Sequence, residues 1–320
     1  MKASISADSA NLDESDRALV RALQGEGRAS WSRLAATLDV SEQTVARRYR
    51  RLHTAGLLRV VGLPSSRRVG YTEWLFRIQC NPTTAPAVAV ALAGREDVQW
   101  VHLLAGGTDI ICFPRARSAR ERDDLLLEKL PRTGRVLQVT AQSILREFRP
   151  EEPASTTESP KPQLDQDDHR LLRALATDGR ASYTTLATRI GKSETATRRK
   201  TEHLIETSNM IFEPEIDPAL LGLDTEAVLW LAVAPAQLDH LGHAMSRHPG
   251  VEYVAATTGP TNLVAILHCR DTDALYDYLT NTLGAMPGVH NIETSPLIRN
   301  IKRRGFIMDG PRLLDPPPQN

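Results

Sequence analysis

Apolar residues recur at helical spacing in three short blocks between Leu12 and Leu52. This spacing places them on one face of each of three helices. Asp13 is suited to cap the first helix and Gly27 to end it, while Ser30 and Ser41 are suited to cap the second and third. The pattern predicts a helix-turn-helix bundle whose inner positions are Leu19, Val20, Leu23, Leu34, Ala35, Leu38, Val45, Tyr49 and Leu52.

Beyond this bundle the apolar pattern predicts a sheet. Gly56 supplies a helix stop, and LLRVVGL after it is predicted as a short strand. After Gly70, strand-like and helical segments follow in the order β-α-β-β-α-β, from WLFRIQC at Trp74 to VLQVTAQSIL at Val136. This order predicts a ferredoxin-like sheet with two helices on one face. Its other face, if apolar, must be buried by another sheet, and a second copy would supply one.

The whole unit occurs twice in the chain. LDESDRALVRAL at Leu12 aligns without gaps with LDQDDHRLLRAL at Leu164. After a one-residue slip, DVQWVHLLAGGTDIICF matches GVEYVAATTGPTNLVAIL, and VLQVTAQSILREF matches VHNIETSPLIRNI. The predicted fold class is α+β, with two winged helix-turn-helix domains alternating with two ferredoxin-like βαββαβ domains.

Domain boundaries follow from the repeat and from one segment of biased composition. PEEPASTTESPKPQ is rich in Pro, Ser, Thr and Glu with almost no apolar residue, so it is predicted to be a linker. The predicted boundaries are 1–11 for a disordered tail, 12–62 and 164–214 for the helix-turn-helix domains, 63–149 and 215–308 for the ferredoxin-like domains, 150–163 for the linker and 309–320 for a second tail.

Composition narrows the class of protein. Lys plus Arg and Asp plus Glu both number 39, a balance that neither demands nor excludes nucleic acid, because a basic surface can be local. Cys80, Cys112 and Cys269 lie far apart, which favours unpaired core thiols in a reducing compartment. Neither a signal peptide nor a run of roughly 20 apolar residues is present, so we expect a cytoplasmic protein without a membrane segment. No catalytic, metal or cofactor motif is recognised.

The third predicted helix carries a candidate DNA-binding face. Opposite its inner positions lie Gln43, Thr44, Arg47 and Arg51. Arg47 and Gln43 have the donors to read base edges. The alternative is an ordinary solvated basic helix, but the caps and the spacing of the three helices favour DNA. The side chains expected to position phosphates are Ser41, Arg48, Arg50 and Arg51.

The corresponding helix of the second copy is weaker. Thr197 and Thr201 replace two inner apolar positions, and a buried hydroxyl needs a partner. Glu202 and Glu206 place negative charge beside its basic residues and would repel phosphate. Whether this helix contacts DNA stays open. Its candidate residues are Arg198, Arg199 and Lys200.

A glycine-containing hairpin lies between the two middle strands of each ferredoxin-like domain. AGGTD ends at Asp109 and TGPTN ends at Asn262. Glycines permit the tight backbone bend, and each hairpin either cradles a small polar molecule or is a plain turn.

From Leu12 to about Gly305 the chain resembles the Lrp/AsnC, or feast/famine, transcriptional regulators. The resemblance rests on LDESDRALVRALQGEGRAS, on LA before SEQTVARRYRRLHTAGLL, on Gly70 and on the Gly-x-x-Asp hairpin. It implies a winged helix-turn-helix joined to a ferredoxin-like RAM domain, with double-stranded DNA as a partner. It also implies an amino acid or related effector bound at a dimer contact by Gly106, Gly107, Thr108 and Asp109, and in the second copy by Gly259, Thr261 and Asn262.

The resemblance carries further expectations. Asp109 could pair with an effector amino group, whereas Asn262 lacks the full charge and Pro260 replaces a glycine, so the two sites should differ. Single-unit relatives form dimers and larger rings, so one chain is expected to be an internal pseudo-dimer that homo-oligomerises further. An operator without perfect two-fold symmetry follows.

Two other functions remain as alternatives. Siroheme decarboxylases resemble the same family, and some are two-unit fusions. His102 is the nearest candidate for their chemistry, but the HNY-type histidine motif of those enzymes is absent from both copies. A ligand sensor that has lost DNA binding is the second alternative, and the intact basic face of the first copy argues against it.

Overall fold

The computed structural model describes residues 12–124, 136–150, 162–208 and 210–315. They form two compact units. The HTH unit falls within residues 1–70, 160–221 and 308–315, and the sheet unit within 71–159 and 222–307. The chain therefore passes from one unit to the other several times, as expected for a duplicated pair of domains.

The first copy contains α1 (Glu14–Gly25), α2 (Trp31–Leu38), α3 (Glu42–Thr54), β1 (Arg59–Leu63), β2 (Thr72–Cys80), α4 (Ala85–Ala93), β3 (Val98–Leu104), β4 (Asp109–Ala116), α5 (Ala119–Asp123) and β5 (Val136–Glu147). The second copy contains α6 (Gln166–Thr177), α7 (Tyr183–Ile190), α8 (Glu194–Thr207), β6 (Ile211–Glu215), β7 (Thr225–Val233), α9 (Leu238–Ser246), β8 (Val251–Thr257), β9 (Leu263–Cys269), α10 (Thr272–Asp277) and β10 (Val289–Arg303). The chain continues through β11 (Phe306–Asp309) and β12 (Arg312–Leu314).

The three predicted N-terminal caps of the first bundle are confirmed, but α1 ends at Gly25 with Glu26 as its C-cap, not at Gly27. The Asp13 side chain accepts a hydrogen bond from the Asp16 amide, and the Asp16 side chain accepts one from the Asp13 amide, which forms a capping box. Ser30 and Ser41 cap α2 and α3 with their side-chain oxygens. The inner positions Val45, Tyr49 and Leu52 are buried, so the three helices pack around the core that the spacing predicts.

The two bundles of the HTH unit are joined by a ribbon of two strands. β1 pairs antiparallel with β6, from Arg59 opposite Glu215 to Leu63 opposite Ile211. The short strand predicted after the first bundle is therefore a real arm, but its partner belongs to the other copy. Phe212 and Ile216 from the second copy also pack in the core of the first.

The loops between the first two helices of each bundle approach the opposite copy closely. The Gly179 amide donates to the Val60 carbonyl at 2.6 Å. A Cβ built on Gly27 would lie 2.3 Å from the Phe212 carbonyl oxygen, and one built on Gly179 would lie 2.9 Å from that of Val60. Glycine is needed in both GRAS segments because any side chain would push the two copies apart.

Both copies of the sheet unit have the predicted ferredoxin-like topology. The strand order is β5-β2-β4-β3 in the first copy and β10-β7-β9-β8 in the second, and the neighbouring strands are antiparallel. β5 also pairs with β8, and β10 pairs with β3. The eight strands thus form a closed ring in which two four-stranded sheets face each other.

The facing sheets bury each other's apolar surface, as predicted. Each sheet also has a separate core beneath its own helices. One face of each sheet therefore packs against its own helices, and the other face packs against the opposite sheet. Apolar side chains accordingly occur on both faces of the strands. The inter-sheet core consists of Leu75, Leu104, Ile111, Phe113, Val228, Trp230, Ala255, Val264 and Ile266.

The prediction for the C-terminal segment differs from the structure, and some other predicted segments lie outside the described residues. The segment 309–320 was predicted to be a tail, but Leu313 is 1% exposed and its amide donates to the Gly56 carbonyl at 2.7 Å. The apolar Leu313 side chain explains the difference, since it fills a site beside the first bundle. The tails 1–11 and 316–320, most of the linker and most of the helix predicted after Ala119 lie outside the described residues.

The three cysteines are free and buried, and burial raises the pKa of the Cys112 thiol. In the described part of the chain, no helix is both long and apolar enough to cross a membrane.

Candidate functional sites

The third helix of the first copy, α3, presents a polar face while its inner face is fixed by packing. Gln43, Arg47 and Arg50 are exposed. Their side chains make no hydrogen bond or ion pair with another described residue, so their donors are available to a partner. Ser41 and Thr44, at the start of the helix, bond each other through their hydroxyl groups at 2.9 Å.

The other two arginines of α3 are held by acidic residues of α1. Arg48 donates to Asp13 at 2.7 Å and to Asp16 at 3.0 Å. Arg51 also donates to Asp16, which is 1% exposed. The hydrogen bond from Arg48 lowers the pKa of Asp13. These charge-assisted bonds fix the rotation of α3 against α1. One groove of about 310 Å³ is lined by Asp13, Asp16, Arg47, Arg48 and Arg51.

The equivalent helix of the second copy, α8, keeps this clamp but fewer free donors. Lys200 binds Asp165 at 2.8 Å and Asp168 at 2.9 Å, and its hydrogen bond lowers the pKa of Asp165 to about 2. Arg198 lies over the Tyr183 ring at 4.7 Å. Arg199 is exposed and is the counterpart of Arg47 in the repeat.

The two threonines inside α8 have different environments. The Thr197 hydroxyl donates to the Ser193 carbonyl at 2.9 Å, which supplies the partner that its burial requires. The Thr201 hydroxyl is buried without a hydrogen-bond partner in the described part of the chain. Since Tyr49 occupies the equivalent place in α3, the second bundle loses buried apolar area at this position.

The first hairpin joins β3 to β4 through Gly106 and Gly107, whose φ angles of 85° and 63° favour glycine. Thr108 follows, and Asp109 is 8% exposed. The Asp109 carboxylate accepts a hydrogen bond from Arg77 Nε at 2.9 Å. The hairpin therefore offers a carboxylate that is already paired with a cation.

Arg77 links the first hairpin to the second copy. Its Nη1 donates to Glu293 Oε1 at 2.7 Å, and its guanidinium lies over the Trp230 ring at 5.2 Å. Glu293 is on β10 and is half exposed, with a side-chain exposure of 47%. Two carboxylates, from Asp109 and Glu293, thus surround one guanidinium.

The second hairpin is built differently. Asn262 accepts from the Val233 amide at 2.8 Å and donates to the Val233 carbonyl at 2.9 Å. These two hydrogen bonds hold the second hairpin against the end of β7, and the neutral amide leaves no charge there. The Gln142 side chain from β5 donates to the carbonyls of Thr258 at 2.7 Å and Thr261 at 3.0 Å. Gly259, with φ 107°, lies directly beside that amide.

A buried polar network lies farther along the facing sheets. His102 is fully buried, and its Nδ1 donates to Asn300 Oδ1 at 2.6 Å. Asn300 in turn donates to Glu226 at 2.9 Å. Burial lowers the pKa of His102 to about 3, and the positive charge of Arg303 adds to this effect. The His102 ring is therefore neutral over the usual pH range.

Glu252 is the charged centre of this network. It accepts hydrogen bonds from His268 Nε2 at 2.6 Å and from Arg303 at 2.7 Å. Burial acts to raise the pKa of Glu252, but Arg303 and His268 outweigh it and hold the pKa well below its usual range. Burial raises the pKa of Glu226. The network joins β3 of the first copy to β7, β8, β9 and β10 of the second.

Sequence reasoning missed three polar residues at the hairpins: Arg77, Gln142 and Glu293. Each sits on a strand where the alternating pattern puts a polar side chain among apolar neighbours on the inter-sheet face. That departure from the pattern is the available signal. It does not say which hairpin each residue meets, because the partners lie in the other copy or on another strand.

The sequence model of the AsnC-type helix-turn-helix domain matches residues 12–53 and 164–205, and that of the Lrp/AsnC ligand binding domain matches residues 226–306.

Curated relatives match one unit of this chain. An uncharacterised HTH-type transcriptional regulator of Pyrococcus abyssi is 27% identical over 149 residues, which is 46% of this chain and 94% of the relative. The Bkd operon transcriptional regulator of Pseudomonas aeruginosa is 29% identical over 146 residues, which is 44% of this chain and 95% of the relative. These proteins therefore correspond to a single copy of the repeat.

The match to a solved structure of a two-unit protein extends over both copies. The siroheme decarboxylase NirDL covers 91% of this chain and 93% of its own, with a TM-score of 0.62 and 14% identity. At that identity the match shows a shared two-unit fold.

Proposed function

Because the chain belongs to the Lrp/AsnC family, we propose that it is a sequence-specific DNA-binding transcriptional regulator that responds to a small effector. The observation that carries the proposal is the polar face of α3. Gln43, Arg47 and Arg50 project there with unused donors from a helix whose inner face is locked in a helix-turn-helix core. Such a helix enters the major groove of DNA.

The polar residues of α3 would have different roles in DNA binding. Arg47 and Gln43 would read base edges, since Arg pairs with guanine and Gln with adenine. Arg50, together with Ser41 and Thr44 at the helix start, would contact phosphates. Arg48 and Arg51 hold α3 against α1 and would add positive potential while staying bound to Asp13 and Asp16.

The second bundle would make a weaker, less selective contact. Arg199 remains exposed on α8, but Arg198 lies over Tyr183 and Lys200 is bound to the capping acids of α6. Glu202 and His203 take the places of Arg50 and Arg51 in the repeat. One copy would therefore carry most of the base readout, and the operator would lack perfect two-fold symmetry.

An amino acid or a derivative would bind in the sheet unit, mainly at the first hairpin, where Gly106, Gly107, Thr108 and Asp109 form the candidate site. Gly259, Thr261 and Asn262 form the equivalent site at the second hairpin, where little or no binding is expected because Asn262 is uncharged and bonded to Val233. Each of the twenty amino acids should be screened for stabilisation of the folded chain, because a ligand that binds only this state raises its unfolding temperature. Asp109→Ala should abolish any shift. An unchanged shift would place the site elsewhere.

The alternative is a decarboxylase that shares the NirDL fold. Such an activity would need a reactive side chain open to its substrate. His102, the nearest candidate in the sequence, is fully buried and already bonded to Asn300. The relatives with matching sequence are named as transcriptional regulators. These two observations favour the regulator.

Homo-oligomerisation beyond the single chain is part of the proposal. The strand pairings that close the eight-stranded ring are satisfied within one chain, so the internal pseudo-dimer is complete and further assembly must use other surfaces. Light scattering should give a mass above that of one chain. A monomer at every concentration and ligand condition would contradict this part.

DNA binding itself is tested by recovering genomic fragments bound by the purified protein and measuring their affinity in a mobility-shift assay at several salt concentrations. We expect selective recovery and an affinity that falls with salt, because Lys and Arg release counterions from DNA. Failure to retain any fragment selectively over random DNA would contradict the proposal.

A further inference from the structure

The two hairpins hold equivalent places in the repeat but differ in what fills them. In the second hairpin, Gln142 Nε2 donates to the carbonyls of Thr258 and Thr261 at 2.7 and 3.0 Å. Gln142 is 6% exposed, and a Cβ built on Gly259 would lie 2.6 Å from its Nε2. The loop therefore encloses a nitrogen donor that belongs to the chain itself.

The first hairpin has no such occupant. In the repeat, Ser295 stands where Gln142 does, and its side chain is shorter by three heavy atoms. The Ser295 hydroxyl accepts a hydrogen bond from Trp230 Nε1 at 3.1 Å. A Cβ built on Gly106, the counterpart of Gly259, would lie 3.5 Å from the Thr108 hydroxyl and would meet no atom of Ser295 within 4 Å. The place filled by an amide in the second hairpin is open in the first.

The acceptors of the two hairpins can be compared directly. Thr108 is the counterpart of Thr261, and its carbonyl accepts from the Cys80 amide at 2.8 Å. A carbonyl oxygen has two lone pairs, so that of Thr108 can take a second donor. In the second hairpin the Asn262 side chain accepts from the Val233 amide instead, and the Thr261 carbonyl accepts from Gln142 and from the Thr257 hydroxyl.

Charge separates the hairpins further. Asp109 and Glu293 share the single guanidinium of Arg77, which leaves one net negative charge beside the first hairpin. The second hairpin has the neutral Asn262. A ligand with a positively charged nitrogen donor fits the first site, and a primary ammonium group also supplies three N–H donors.

We propose that each chain binds one effector, through a primary ammonium group at the first hairpin, and that Gln142 permanently replaces this group at the second. The inference rests on the proposed effector function and specifies its stoichiometry and ligand class. Glu293 and Arg77 belong to the site together with Gly107, Thr108 and Asp109. The two copies thus share one site, which is incomplete without β10 of the second copy.

Calorimetric titration of the full chain tests this inference. The probes are the twenty amino acids taken singly and, for any that binds, the amine without its carboxylate and the hydroxy acid without its ammonium. We expect one molecule per wild-type chain, binding of the amine, and no binding of the hydroxy acid.

Two reciprocal variants locate the site. Ser295→Gln places the Gln142 side chain at the first hairpin and should weaken binding about tenfold or more, the loss of one charge-assisted contact. Gln142→Ser should keep the first site at wild-type affinity, since this residue lies at the other hairpin. Gln138→Ser, at an exposed position on the same strand, is the control and should bind as the wild type does.

The outcomes separate this inference from the effector proposal. Two molecules per wild-type chain, binding of the hydroxy acid but not the amine, or loss of binding in Gln142→Ser would overturn the inference while leaving effector binding intact. If Ser295→Gln fails to fold, the Gln142→Ser affinity and the wild-type stoichiometry decide alone. Binding of no probe by the wild type would overturn both.

Discussion

Arg28 and Arg180 occupy the same position in the two copies, and each donates to a backbone carbonyl of the other copy. Arg28 binds the Gly179 carbonyl at 2.7 Å, while Arg180 binds that of Gly27 at 2.6 Å and that of Ala29 at 2.8 Å. The exchange is reciprocal, as in a two-fold symmetric dimer interface. One chain thus contains the contact that two chains would otherwise make, and the two helix-turn-helix bundles are held as a pair.

Replacement of Arg180 by alanine should destabilise the HTH unit more than replacement of Arg28. Arg180 makes two carbonyl bonds and also lies 3.9 Å from the centre of the Trp31 ring. Hydrogen bonds to charged groups contribute about 1.5–3 kcal/mol each. Because two such bonds are lost, we expect a loss of at least about 3 kcal/mol for Arg180→Ala in urea unfolding. Arg33→Ala, which removes an exposed ion pair with Glu26, is the control and should cost less than about 1 kcal/mol. Equal losses in Arg180→Ala and Arg33→Ala would contradict this prediction.

The buried His102 ring should make stability depend on pH. Its pKa is about 3 in the folded chain against 6.5 for an unperturbed histidine. As the pH falls below about 6.5, the unfolded chain takes up a proton that the folded chain refuses, so the free energy of unfolding decreases with falling pH. Above about pH 6.5 the ring is neutral in both states and costs no stability. Between that pH and about pH 3, the free energy of unfolding falls by at most about 1.4 kcal/mol per pH unit.

His102→Gln should therefore flatten the stability profile between about pH 4.5 and 6.5 by nearly one proton, whatever it does to the stability at neutral pH. Chemical denaturation at several pH values measures this slope. His290→Gln, at an exposed position on β10, should leave the profile unchanged. If the free energy of unfolding of His102→Gln changed with pH as steeply as that of the wild type, the folded chain would bind a proton on His102 as readily as the unfolded chain does, which contradicts the prediction.

Asn262→Asp should destabilise the sheet unit even though it restores the aspartate found at the first hairpin. The new carboxylate keeps an acceptor for the Val233 amide but loses the donor to the Val233 carbonyl, and it places a negative charge against that oxygen. A cost of about 1–3 kcal/mol is expected. Asn291→Asp, at an exposed position, is the matched control and should change stability by about 0.5 kcal/mol or less. Equal stabilities of the two variants would rule out the Asn262 clamp.

Local patterns predicted much of this architecture. The spacing of Leu19, Val45 and Leu52 predicted helices whose inner faces are indeed buried, because the period of an amphipathic helix depends only on near neighbours. The caps at Ser30 and Ser41 were equally local. Duplication then predicted that the two sheets would bury each other's open faces, and the closed ring confirms it.

Contacts between residues far apart in the sequence were not predicted from the hydrophobic pattern. Arg77 reads as a polar residue on a strand, and nothing near it in sequence indicates Glu293, which lies 216 positions away. Arg48 was expected to face phosphate and Asp13 was interpreted only as a helix cap, so the ion pairs of Arg48 with Asp13 and Asp16 were not predicted. Pairing of this kind depends on strand register and helix crossing, which the hydrophobic period does not specify.

The most direct test of the account compares Arg47→Ala with Arg199→Ala in a mobility-shift assay on a recovered genomic fragment, at fixed salt. Both arginines are exposed and occupy the same position of the repeat, so their difference measures the asymmetry between the copies. Arg21→Ala, on the exposed side of α1, controls for charge. We predict that Arg47→Ala weakens specific binding by about 1–3 kcal/mol, roughly 5- to 150-fold, and that Arg199→Ala weakens it only about 2- to 3-fold. Wild-type affinity in Arg47→Ala, or equal losses in the two variants, would contradict the claim that the first copy reads the DNA.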